Sequence, residues 1–131
     1  MPKALVVDDS RATRSAIRRI LQGVGCEVCE AEHGEHALEV MHADDSIELV
    51  LVDWNMPVMD GFSLIKAIRK ERKWAMLPIM MVSAEVDQRQ IARAVMAGAD
   101  EYVMKPFDSA TLLGKLESLG IATPLDLGAN A

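Results

Sequence analysis

Asp8, Asp9, Asp53, Ser83 and Lys105 are the residues whose types and spacing could do chemistry. Each stands where a short apolar run ends. Asp8 and Asp9 follow Ala4 to Val7, Asp53 follows Leu49 to Val52, Ser83 follows Ile79 to Val82, and Lys105 follows Tyr102 to Met104. If the three carboxylates meet, each like-charged pair at ~4 Å costs about 4 kcal/mol at an effective dielectric of ~20, so a proton or a cation must offset them. Oxygen-only ligands favour a hard ion, and Mg²⁺ is typically held by a few carboxylates, waters and phosphate oxygens. Lys105 adds a compact positive charge suited to a phosphoryl group, and Ser83 a hydroxyl that can donate a hydrogen bond to one. Carboxylate, metal, ammonium and hydroxyl together are the equipment for phosphoryl transfer onto an aspartate. Asp53, at the end of the most central-looking run, is the candidate nucleophile. Taken alone, Asp8 and Asp9 read equally well as caps of the helix that follows, because Asp is a favoured N-cap.

The elements that must position these residues alternate along the chain. Ala4 to Val7, Leu49 to Val52 and Ile79 to Val82 are continuously apolar, as expected for strands covered on both faces; Val28 with its flanks and Tyr102 to Met104 complete five. Between them run helical stripes. Ala16, Ile17, Ile20 and Leu21 mark the first, with Ser10 as N-cap and Gly23 as stop; Ala37, Leu38 and Met41 mark the second. Phe62, Ile65 and Ile68 mark the third, and Ile91, Ala94 and Val95 the fourth, which Gly98 can end. Leu112, Leu113, Leu116 and Leu119 mark the last, capped by Asp108 or Ser109. The pattern is (βα)₅, which predicts an α/β domain with a parallel sheet and helices on both faces. All parallel strands end on one edge, where open α/β sheets bind ligands, so the five residues can converge. We assign residues 1–122 to one domain and 123–131 to a short polar tail.

Composition bounds the function. The chain has 131 residues, half of them apolar, and a formal net charge of -6, which argues against binding nucleic acid. No apolar stretch approaches the ~18 residues of a membrane span, and the acidic pair comes too early for a signal peptide, so a cytoplasmic protein is expected. "CEVCEAEHGEH" has the look of a zinc site, but only three residues separate Cys29 from His33, too few to fold a hairpin and helix over a metal. In a strand, Cys26 and Cys29 point to opposite faces.

Four motifs in order, the acidic pair Asp8-Asp9, "VDWNMPVMDG" around Asp53, "MVSAE" ending at Glu85 and "YVMKPF" around Lys105, resemble the receiver domains of two-component response regulators, most closely the single-domain chemotaxis type. The resemblance covers roughly residues 3–120. It implies a doubly wound five-stranded parallel sheet, of flavodoxin-like strand order 2-1-3-4-5; chemotaxis regulators of this kind are themselves illustrations of the sheet-edge rule. It implies Asp53 as phosphoacceptor, loaded by a histidine kinase. Mg²⁺ would be held by Asp9, Asp53 and the backbone carbonyl of Asn55, with Asp8 acting mainly through water. Lys105 would contact the phosphoryl group, the Lys105-Pro106 bond would be cis, and movement of Ser83 would let Tyr102 turn inward. Asn55 and Glu85 occupy positions that tune dephosphorylation, which a phosphatase can speed further.

The output implied is a changed affinity for a protein partner such as the flagellar motor switch, from a protein that is a monomer until phosphorylated. Such a protein is a switch rather than a metabolic enzyme. Alternatives are a phosphorelay receiver, a piece of a longer regulator, a pseudo-receiver that works without phosphorylation, and a Mg²⁺-dependent aspartyl-phosphate phosphohydrolase. The last usually carries a second Asp two residues after the nucleophile, where this chain has Asn55. Trp54, Met56 and Pro57 read as the scaffold of the Asp53 loop, and Asp60-Gly61 as its turn into the next helix. Arg11, Arg14 and Arg18 share a helix face that reads as either a docking surface or a solvated one; "RKERK", Arg69 to Lys73, reads as solvated.

Overall fold

Apolar runs and helical stripes become alternating strands and helices. In chain order these are β1 (Lys3–Val7), α1 (Arg11–Gly23), β2 (Glu27–Ala31), α2 (Gly34–Ala43), β3 (Leu49–Asp53), α3 (Gly61–Lys70), a 3₁₀ turn at Arg72–Trp74, β4 (Ile79–Ser83), α4 (Gln88–Ala97), β5 (Glu101–Met104) and α5 (Ser109–Ser118). The structure is a computed structural model that describes residues 2–54, 56, 59–84 and 87–121. The strands form one parallel sheet in the order β2-β1-β3-β4-β5. The chain starts at β1, steps out to β2 and returns past β1 to β3, so the strand order reverses beside the carboxyl ends of β1 and β3.

Strand alternation divides the core into two layers. Leu5, Val7, Val50, Val52, Ile79 and Met81 face Ala37 and Met41 of α2, Leu64, Ile65 and Ile68 of α3, and Ala94 of α4. The intervening residues Ala4, Val6, Leu49, Leu51, Met80 and Val82 face Ile17 and Leu21 of α1 and Leu112 and Leu116 of α5. Full burial of such a side chain is worth ~1.5–3 kcal/mol. Every residue of β3 and β4 is buried, whereas the edge strands β2 and β5 are partly exposed. Cys26 lies in the second layer and Cys29 packs against the first; both are free thiols.

Helix caps follow short polar side chains. Ser10 Oγ accepts from the Thr13 amide, Asp60 from Ser63, and Asp108 from Thr111. At Gly98, φ is 122° and the amide donates to the carbonyls of Ala94 and Val95, which closes α4. Gly23 is the last residue of α1, as expected, and the turn out of the helix is completed at Gly25, with φ of 87° and its amide donating to the Gln22 carbonyl. One expectation is corrected. Ala16 and Val95 are exposed and leave the stripes assigned to them, Val95 at 60% exposure. The 3₁₀ turn, which seats Trp74 in the first core layer, has no counterpart in the sequence pattern.

Candidate functional site

Sheet hydrogen bonds run into the site and fix its backbone. The amide of Asp8 donates to the carbonyl of Ala31, at 3.1 Å, one residue past the end of β1. The Trp54 amide donates to Val82, at 3.1 Å, and the Lys105 amide to Ser83, at 2.7 Å. Asp53 and Ser83 are themselves the last residues of β3 and β4. Asp8, Asp53 and Ser83 are buried, with Asp53 at 6% exposure, while Asp9 is exposed at the rim. One carboxylate oxygen from each of Asp8, Asp9 and Asp53 lies within 4.8 Å of the others. The Lys105 ammonium reaches into the same space, 3.0 Å from Asp8 Oδ2 and 3.4 Å from Asp53 Oδ1.

The local fold has specific supports. Ser10, not either aspartate, caps α1, which leaves the carboxylates to the pocket. Asp8 Oδ1 accepts from the Ser10 amide at 2.8 Å, and the Asp8 carbonyl accepts from Arg14 Nη1 at 2.7 Å. On the other side, the Gly61 amide donates to the Trp54 carbonyl, and a Cβ on Gly61 would lie 2.6 Å from the Asp53 carbonyl oxygen. Asp60 and Gly61 turn the chain into α3 as its N-cap and first residue, and Gly61 is also where α3 touches the backbone of the candidate nucleophile. Trp54 is buried and packs edge-on against Phe62, with ring centroids 5.9 Å apart. Met56 packs at the margin of the first core layer. The Lys105-Pro106 peptide bond is cis.

Electrostatics follow from this crowding. Burial, with the neighbouring Asp8 charge and a smaller contribution from Asp9, pushes the Asp53 carboxyl up to about 6 against the pull of Lys105. Burial disfavours the Lys105 ammonium, yet its hydrogen bond to Asp8 and the charges of Asp53 and Asp8 outweigh that and raise its pKa. An all-oxygen donor set carrying this much uncompensated negative charge fits a hard divalent cation such as Mg²⁺.

Tyr102 lies outside the pocket, half-buried on β5 opposite Met81, with the Lys115 ammonium 5.7 Å from its ring centroid. Asn55, Pro57 and Glu85 lie outside the described residues, as does the tail from 122 onward. Arg14 is the supporting residue that the sequence reading missed. It is neither docking surface nor solvated: it is 8% exposed, and its Nε donates to Glu30 at 2.8 Å. Arg18 binds the same carboxylate. The signal was available, because Arg14, Ile17 and Leu21 share a helical stripe. Arg69 is likewise structural, donating to the carbonyls of Gly98 and Trp74 and pairing with Asp100.

A doubly wound α/β domain with an acidic, lysine-bearing pocket at the point of strand reversal has the layout of a ligand site at the carboxyl edge of an open parallel sheet. The chain belongs to the response regulator receiver domain family, which it matches over residues 4–117. It is 39% identical over 118 residues to a chemotaxis protein CheY homolog of Campylobacter jejuni, covering 89% of this chain and 91% of that one. It is 40% identical over 116 residues to the chemotaxis protein CheY1 of Helicobacter pylori, covering 88% and 94%. Among solved structures, the chemotaxis response regulator CheY4 of Vibrio cholerae superposes with a TM-score of 0.86 at 34% identity, covering 91% of this chain and 98% of that one. The chain is thus a receiver of two-component signalling. No helix among the described residues is long and apolar enough to cross a membrane.

Proposed function

We propose that this receiver is a phosphorylation-operated switch of the chemotaxis type, with Asp53 as phosphoacceptor. The supporting observation is the placement of a buried Asp53 carboxylate, fixed by the sheet, between two further carboxylates and an ammonium 3.4 Å away. In the reaction, an Asp53 carboxylate oxygen attacks the phosphorus of a kinase phosphohistidine. The P–N bond breaks, its electron pair leaves with the imidazole, which takes up a proton, and an acyl phosphate remains. Lys105 neutralises charge on the phosphoryl oxygens, and the Ser83 hydroxyl donates to one of them. Asp9 and Asp53, with the Asn55 carbonyl, would hold Mg²⁺ directly and Asp8 mainly through water; the ion, when bound, would supply further charge neutralisation to the phosphoryl group.

Reversal is hydrolytic: water attacks phosphorus, the bond to Asp53 breaks and inorganic phosphate leaves. Asn55 and Glu85 tune that rate, and a phosphatase partner can speed it. The switch runs from Ser83 to Tyr102 through the β4–β5 pairing and alters affinity for a target, of which a flagellar motor switch is the most specific candidate. On this reading, residues 1–122 form the working domain of a cytoplasmic protein that stays monomeric until phosphorylated.

Intact-mass measurement after incubation with phosphoramidate tests the chemistry. The expected result is a single phosphoryl adduct that requires Mg²⁺, is absent from Asp53→Asn and decays during the assay. An adduct of equal yield on Asp53→Asn would refute the assignment, as would none from either phosphoramidate or a phosphorylated histidine kinase.

A further inference from the structure

A groove of about 470 Å³ lies between α3 and α4, away from the acidic pocket. Phe62 forms its floor; Lys66 and Lys70 of α3, Arg93 and Met96 of α4, and the stem of Arg69 form its walls. No carboxylate lines it, in a chain whose net charge is -6. The Lys66 ammonium stands 5.2 Å from the Phe62 ring centroid and the Arg93 guanidinium carbon 4.4 Å from it. Among the described residues, no carboxylate lies within ion-pair distance of Lys66, Lys70 or Arg93, whereas Arg69 is already tied to Gly98 and Asp100. Met96 is 87% exposed at the lip.

We propose that this groove docks an acidic segment of a partner protein carrying a large apolar anchor side chain. The anchor sits on Phe62 and Met96, where an apolar floor and an unbranched, adaptable thioether accept a variety of shapes. Acidic side chains on either side of the anchor pair with Lys66, Lys70 and Arg93. Charge complementarity selects the occupant, because a chain of net charge -6 repels acidic peptides overall while this carboxylate-free cationic patch attracts them. The narrow cluster around one aromatic floor favours a peptide over a nucleic acid, which needs positive charge spread along a backbone track.

Fluorescence anisotropy with a fluorescein-labelled peptide, glutamates flanking a central Leu-Phe pair, tests this on the full chain. Saturable binding is expected, weakened roughly tenfold or more by K66E combined with R93E, an effect of about 1.4 kcal/mol. Arg19→Glu, an exposed cation on α1, should change affinity less than threefold or so on the same scale. Circular dichroism checks that each variant is folded, and Met96→Glu is a second lesion at the lip. A peptide with Ala-Ala in place of Leu-Phe should also lose binding. The proposal fails if no saturable binding occurs, if Arg19→Glu weakens binding as much as the groove variants, or if the Ala-Ala peptide binds equally. It also fails if single-stranded RNA or phosphatidylserine vesicles compete at the groove more tightly than the peptide.

Discussion

Two charge clusters of opposite sign lie within one small domain, and they are built differently. The acidic pocket is made of groups that the sheet forces together: Asp8 and Asp53 are buried at strand ends, and their repulsion is met by one lysine arriving from β5. The cationic groove is made of exposed side chains on α3 and α4 that share one phenyl ring. In the first, charge is held against its preference and stores free energy that a bound cation would release. In the second, water screens the charges, so they cost the fold little and are available to a partner.

Changes in the pocket should therefore produce the large effects. The largest is chemical: Asp53→Asn should leave no adduct detectable by intact mass. The next is thermodynamic and of opposite sign. The gap between the ordinary carboxyl value of 3.8 and about 6 corresponds to ~3 kcal/mol. Between those pH values the folded chain binds more protons at Asp53 than the unfolded chain does. Stability should then fall as pH rises through that window, with the full cost present above about pH 6. Without divalent cations at pH 7, Asp53→Asn should thus be more stable than the parent by up to ~3 kcal/mol, and the two should converge below pH 4 or so. Mg²⁺ should raise the melting temperature of the parent and raise that of Asp53→Asn much less. Equal urea-unfolding free energies for the two proteins at pH 7 would break the claim that the pocket stores strain.

A third change separates contact from conformation. Gly61→Ala puts a methyl 2.6 Å from the Asp53 carbonyl oxygen and 2.9 Å from Trp54 Cα, both backbone atoms that cannot step aside alone. Overpacking of this kind costs about 1–3 kcal/mol, and the adduct yield should drop with it because Asp53 moves. Gly114, inside α5, has open space around it and no positive φ. There the same substitution should stabilise by ~0.5–1 kcal/mol. Denaturant midpoints for the pair check both signs.

The same contrast explains what the sequence made legible. The strand runs and the placing of Asp8, Asp53, Ser83 and Lys105 at one sheet edge follow from period and from parallel topology, because a strand end is a fixed address; the strand order came from the family resemblance. Ser10 and Asp108 announce themselves as caps by type and position. Arg14 was misread because a long polar side chain on an apolar stripe can reach back to a backbone carbonyl, here that of Asp8, and only its place beside Ile17 and Leu21 hints at this. Gly61 is a turn residue by type, but the close approach of α3 to β3 that demands it is a tertiary fact. The groove was illegible for the same reason: Phe62, Lys66 and Arg93 become neighbours only when α4 lies beside α3.

The smallest expected effect is the one that most sharpens the comparison. Lys66→Glu removes an ammonium from the face of Phe62, an exposed cation–π contact worth about 0.5–1 kcal/mol. It also relieves repulsion from Lys70 and Arg93 and gives them a carboxylate partner, a gain of similar size. The two should nearly cancel, leaving the unfolding free energy within about 0.5 kcal/mol of the parent at any pH from 5 to 8 or so. A loss well above that would mean that the cation and the ring hold α3 in place, and the groove would then be part of the scaffold like Arg14 and Arg69. A near-zero change, set beside the ~3 kcal/mol expected at Asp53, would mark the groove cations as free of structural duty and open to recognition.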